Sequence, residues 1–123
     1  MTHVLIIEDS YLFGQFVSDA ALLAGADSTE IAETQAAAEA AAQRCTPGMI
    51  IADVKLAHGS GVSAVERIAG GRHIPILYVT GYPERCGECP PGSTVIEKPV
   101  SHDTLQRSIS RLIDDQAALL AAH

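Results

Sequence analysis

Short, unbroken apolar runs alternate along this chain with longer stretches in which apolar residues recur every three or four positions. His3-Val-Leu-Ile-Ile7 and Met49-Ile-Ile-Ala52 are runs of strand length with no polar interruption, which predicts strands covered on both faces. Ser28 to Ala32 reads as a weaker second strand, and Ile74 to Val79 and Ser93 to Ile96 as a fourth and a fifth. Between the first two, Phe13, Phe16, Val17, Ala20 and Leu23 keep a helical period that Gly25 closes. Thr34 caps an alanine-rich helix through Arg44, stopped by Pro47-Gly48. Val62, Val65 and Ile68 mark a short helix ended by Gly70-Gly71. Ser101 caps a last helix with Leu105, Ile109, Leu112 and Ile113 on one face, and Ala117 to His123 extends it. Strands alternating with helices in units of this size predict one α/β domain with a parallel sheet and right-handed crossovers. The pattern fails once. Between Pro83 and Gly92, the residues Gly87, Pro90, Pro91 and Gly92 leave room for about two helical turns, so a helix there is expected to be short or irregular.

Length and charge narrow the class of function. At 123 residues the chain fits a single domain, 1–123. A formal net charge of −7 argues against a nucleic-acid binder, which presents a basic face. No apolar run approaches the ~20 residues of a membrane span, and Met1-Thr2-His3 lacks the basic start of a signal peptide. A cytoplasmic protein is expected, with neither nucleic acid nor membrane as partner. Three cysteines, an odd number, in a chain large enough to fold without staples predict reduced thiols.

The chemistry shows in the residues just past each strand. In a doubly wound sheet, sites form beyond the carboxyl ends of the strands. The first run ends in Glu8-Asp9, the third in Asp53, the fourth at Thr80, and the fifth just before Lys98. Each alone has an ordinary explanation, since an Asp after a strand often caps a helix or turns the chain. Jointly they put three carboxylates, a hydroxyl and an ammonium on one edge. Two carboxylates about 4 Å apart repel by about 4 kcal/mol at an effective dielectric near 20. Three in one cleft therefore require a cation or a proton. Oxygen ligands without nearby His or Cys suit Mg²⁺, which keeps waters and leaves positions for phosphate oxygens. A carboxylate beside it can attack phosphorus and form an aspartyl phosphate. Lys98 would neutralise the phosphoryl oxygens and Thr80 would donate to one of them.

These residues resemble the receiver domains of two-component response regulators over essentially the whole chain. The family pattern is an acidic pair after strand one, Asp after strand three, Ser/Thr after strand four and Lys-Pro after strand five. Here it reads Glu8-Asp9, Asp53, Thr80 and Lys98-Pro99. The resemblance implies a flavodoxin-like fold, a doubly wound five-stranded parallel sheet in the order 2-1-3-4-5. It implies Asp53 as phosphoacceptor, with Glu8, Asp9, Asp53 and the backbone carbonyl of Lys55 holding Mg²⁺, and Thr80 and Lys98 serving the phosphoryl group. It further implies a cis Lys98-Pro99 peptide. Partners would be a histidine kinase or phosphotransfer protein and a downstream protein target, with a phosphorylation-dependent dimer as one form of output. Three features depart from the pattern. The usual Pro four residues past the acceptor is Ala57, and the usual aromatic of strand five is Val95. Tyr78-Val-Thr-Gly-Tyr-Pro83 resembles a motif of an alphaproteobacterial subgroup that includes general stress regulators. With Val95 unable to swing as a ring, Tyr82 and the segment Thr80 to Gly92 are the expected exit for the signal.

The expected function is a stand-alone response regulator phosphorylated on Asp53, whose own catalysis is limited to its phosphorylation and dephosphorylation. The alternative is a small Mg²⁺-dependent phosphatase with Asp53 as nucleophile. Such enzymes want an acid two residues further on, where this chain has Lys55. A third reading, an interaction module with a decayed site, is disfavoured by the intact Asp9, Asp53, Thr80 and Lys98. Cys86-Gly-Glu-Cys89 has the spacing of a redox pair or half a zinc site, but its Gly/Pro-rich setting reads as loop cysteines. His58 reads as an exposed loop residue.

Overall fold

The two unbroken aliphatic runs form inner strands of the sheet. The computed structural model describes residues 2–82, 89 and 93–121. Among them, β1 (His3–Ile7), β2 (Ser28–Ala32), β3 (Met49–Ala52), β4 (Ile76–Thr80) and β5 (Thr94–Glu97) form one parallel sheet in the order β2-β1-β3-β4-β5. The helices are α1 (Tyr11–Leu23), α2 (Gln35–Arg44), α3 (Gly61–Ala69) and α4 (His102–Ala121). The sheet order is the one the resemblance implied. The irregular helix expected between β4 and β5 falls on residues outside those described.

Alternation along the strands divides the core in two, because successive side chains of a strand point to opposite faces. Leu5, Ile7, Ile50, Ala52 and Tyr78 pack against α2 and α3, through Ala38, Ala41, Val62, Val65 and Ile68. Val4, Ile6, Met49, Ile51, Leu77 and Val79 pack against α1 and α4, through Val17, Ala20, Leu105 and Ile109. Each large aliphatic side chain so buried contributes about 1.5–3 kcal/mol. All four described helices begin on hydroxyl caps: Ser10, Thr34, Ser60 and Ser101 accept from the amides of Phe13, Ala37, Ser63 and Thr104 at 3.3, 3.0, 3.2 and 3.1 Å. Such a cap is worth about 1 kcal/mol. Gly70 ends α3 in the left-handed region, at φ +47°.

β4 starts at Ile76 rather than Ile74, since Pro75 has no N–H to give the ladder. Its carbonyl still accepts from the Ile50 amide at 3.0 Å. Lys98-Pro99 is a cis peptide. Cys45 is free and exposed, whereas Cys89, half-buried against the α2/α3 side of the core, is disulfide-bonded. For Cys89 this corrects the expectation of reduced thiols; Cys86 lies outside the described residues. Among the described residues, no helix is long and apolar enough to cross a membrane.

Candidate functional site

Ladder hydrogen bonds continue past the strands and fix the acidic residues. The Glu8 amide donates to the Ala32 carbonyl and the Asp53 amide to the Ile7 carbonyl, both at 2.9 Å. On the other side the Lys98 amide donates to the Thr80 carbonyl at 2.8 Å. The sheet thus sets the backbone of Glu8, Asp53, Thr80 and Lys98 at one edge before any side chain is considered.

Glu8, Asp9 and Asp53 each bring a carboxylate oxygen to within 4.8 Å of the others. At that separation each pair repels by about 3–4 kcal/mol at an effective dielectric near 20. Lys98 offsets part of it: its Nζ donates to Glu8 Oε1 at 2.8 Å and to Asp53 Oδ2 at 3.1 Å. Glu8 is buried, and that burial pushes its carboxyl above the usual 4.5, against the lowering effect of the Lys98 and Ser10 hydrogen bonds. Burial pulls the Lys98 ammonium down, but the hydrogen bonds and charges of Glu8 and Asp53 outweigh it and leave the group above 10.5. Three carboxylates against one ammonium leave the cluster net negative. Its donor set is all oxygen, which fits a hard divalent cation such as Mg²⁺.

The loop after Asp53 is tied down at several points. Asp9 Oδ2 accepts from the Ala57 amide at 2.7 Å, a bond the usual Pro could not make. Asp53 Oδ1 accepts from the Lys55 amide at 3.4 Å. Gln35 Oε1 accepts from the Ser60 amide at 3.0 Å, while the Gln35 amide donates to the His58 carbonyl at 3.2 Å. Gly61 is there for close approach: a Cβ at this position would overlap the Asp53 carbonyl oxygen. Thr80 is fully buried and its hydroxyl accepts from the Tyr82 amide at 3.0 Å. The Lys55 ammonium stands 5.2 Å from the centre of the Tyr82 ring. His58 is exposed, as its loop setting suggested.

A solution structure of the receiver domain of the PhyR response regulator of Erythrobacter litoralis is 36% identical, with 91% of this chain and 89% of that one covered at a TM-score of 0.81. The chain belongs to the receiver domains of PhyR-type response regulators. This receiver is also 34% identical to the phyllosphere-induced regulator PhyR of Methylorubrum extorquens, over 91% of the chain and 43% of that protein. It is 30% identical to the anti-anti-sigma factor PhyR of Bartonella quintana, with 99% of the chain and 51% of that one covered at a TM-score of 0.81. The chain therefore spans about half the length of these two relatives. No family model matches it. Aspartyl phosphorylation and Mg²⁺ are general properties of receivers.

The structure brings Glu8, Asp9, Asp53 and Lys98 together, with Lys55 and Thr80 on the adjoining loop and strand end. Reading by residue type passed over Gln35, Phe13 and the Ala57 amide. Gln35 and Phe13 lie in segments whose helical period accounts for them, and a backbone amide leaves no mark in a sequence. Gly61 opens α3, and a glycine at that point beside an acceptor loop is a sequence signal for close backbone approach.

Proposed function

We propose that this receiver takes a phosphoryl group on Asp53 from a histidine kinase or phosphotransfer protein in the cytoplasm, and that the phosphorylated form changes its hold on a protein partner. The reading rests on one observation: the Lys98 ammonium lies 3.1 Å from Asp53 Oδ2 within a cluster of three carboxylates. Asp53 is the carboxylate just past the central strand, flanked by the acidic pair and by the lysine. As nucleophile it forms the O–P bond while the donor's leaving group departs, and Lys98 neutralises charge on the phosphoryl oxygens. The Thr80 hydroxyl, now accepting from Tyr82, would donate to one of those oxygens. Glu8, Asp9, Asp53 and the Lys55 carbonyl would hold Mg²⁺, which when bound supplies positive charge to the transferring group.

The chain's catalysis would be limited to its own phosphorylation and dephosphorylation. The phosphatase alternative lacks support, because the residue two past Asp53 is Lys55, with its ammonium over the Tyr82 ring. The Bartonella relative is an anti-anti-sigma factor, which favours a downstream partner in sigma-factor control. Tyr82 is the exit we favour for the signal: half-exposed, it touches the acceptor loop through Lys55 and Thr80 through its amide.

Incubation with acetyl phosphate and Mg²⁺, followed by intact-mass measurement, tests the reading. One added phosphoryl group is expected in the wild type and none in Asp53→Asn. Equal labelling of both proteins would overturn it.

A further inference from the structure

We propose that Phe13 is a positioning residue for Lys98, its ring face holding the ammonium in place for phosphoryl transfer to Asp53. The proposal rests on the function just described. The Lys98 Nζ lies 4.3 Å from the centre of the Phe13 ring, well within the range of a cation–π contact. A lysine ammonium is a compact charge on a flexible four-carbon stem. Two hydrogen bonds, to Glu8 and Asp53, leave it a further direction in which water would otherwise compete. The ring fills that direction with the negative face of its quadrupole.

The ring is fixed in turn by the chain that carries it. The Phe13 amide donates to Ser10 Oγ at 3.3 Å, and the Ser10 amide donates to Glu8 Oε2 at 2.9 Å. The other oxygen of the same carboxylate receives Lys98 at 2.8 Å. Ring, helix cap, carboxylate and ammonium therefore close a circuit, in which moving one member moves the others. Behind it, Phe13 packs on Phe16, with ring centres 5.5 Å apart and planes at 35°. Phe16 meets the His102 ring edge to face at 5.0 Å, which ties this stack to the start of α4. Developing charge on a phosphoryl group at Asp53 falls beside an ammonium already aimed at that carboxylate, so the contact serves the transition state without relocating the lysine.

Site-specific replacement of Phe13 by mono-, di- and trifluorophenylalanine tests this in the intact chain, because fluorination drains the ring quadrupole at nearly constant shape. The rate of phosphorylation by acetyl phosphate should fall stepwise, reaching about fivefold for the loss of about 1 kcal/mol of cation–π attraction. Phe13→Leu should fall as far, and Phe13→Tyr, which keeps a ring face, should hold the wild-type rate. Independently of phosphorylation, the Lys98 ε-methylene protons should show an upfield ring-current shift that Phe13→Leu abolishes. A flat or rising rate across the fluorinated series, or no ring-current shift in the wild type, would overturn the role of Phe13 while leaving Asp53 as acceptor. A wild type that takes no phosphoryl group would overturn both.

Discussion

Tyr78→Phe should make this protein more stable. Tyr78 is fully buried on β4, facing α3, and its hydroxyl has no hydrogen-bond partner among the described residues. An orphaned hydroxyl in an apolar site costs about 1–3 kcal/mol. Removing one oxygen leaves too little space for a cavity to offset the gain, so the variant should gain about 1–2 kcal/mol. For a domain of this size that is a rise of about 4 °C in Tm per kcal/mol. A second signature lies in alkali. Burial pushes the phenol from 10.0 up to about 12, with the Glu66 charge adding to the rise. An unfolded tyrosine loses its proton near 10 and the folded one only near 12. The proton's contribution to stability is therefore complete below pH 10 and is lost as pH climbs from 10 to 12. At pH 11 the wild type should have lost about 1.4 kcal/mol that the phenylalanine variant keeps. Urea unfolding at pH 8 and pH 11 measures both effects. The reasoning fails if Tyr78→Phe is less stable than wild type by 1 kcal/mol at pH 8, or if the gap between the two proteins is the same at both values.

Two further outcomes are expected. Mg²⁺ should raise the thermal midpoint by mass action on the acidic cluster, and Asp9→Asn should blunt that rise; equal responses by calorimetry would deny Asp9 a share in the cation. Gly61→Ala, whose new methyl would meet the Asp53 carbonyl, should lose about 3 kcal/mol in urea titration, and an unchanged midpoint would show that the loop yields freely.

The fold was legible where one physical rule governed a segment. Unbroken aliphatic runs marked β1 and β3 because a strand covered on both faces tolerates no polar residue, and hydroxyls at Ser101 and Thr34 marked helix starts because first-turn amides need acceptors. The site was legible because charged residues follow β1, β3 and β5 and a hydroxyl ends β4, although the strand order itself came with the resemblance. Contacts that depend on side-chain reach were not legible. Nothing in the spacing of Phe13 and Lys98, 85 positions apart, says that one will lie on the other, and Phe13 satisfies a helical period whether or not it does. Ala57 differs from proline by a donor whose acceptor, Asp9, lies 48 residues away. β2 was faint since an edge strand, half-exposed along most of its length, needs few aliphatics.

The long span of the Lys98–Glu8 pair bears on how the protein is made. The two residues are 90 positions apart, so during synthesis Glu8 leaves the ribosome well ahead of its cation. Until β5 docks, a fold built from β1 to β4 would carry the Glu8 and Asp53 carboxylates side by side with no lysine between them, and their repulsion opposes its closure. Contacts so distant in sequence form late, because loop-closure entropy must be met first. Competence to accept a phosphoryl group would thus arrive with β5, and a chain translated only as far as β4 would be silent toward a phosphoryl donor.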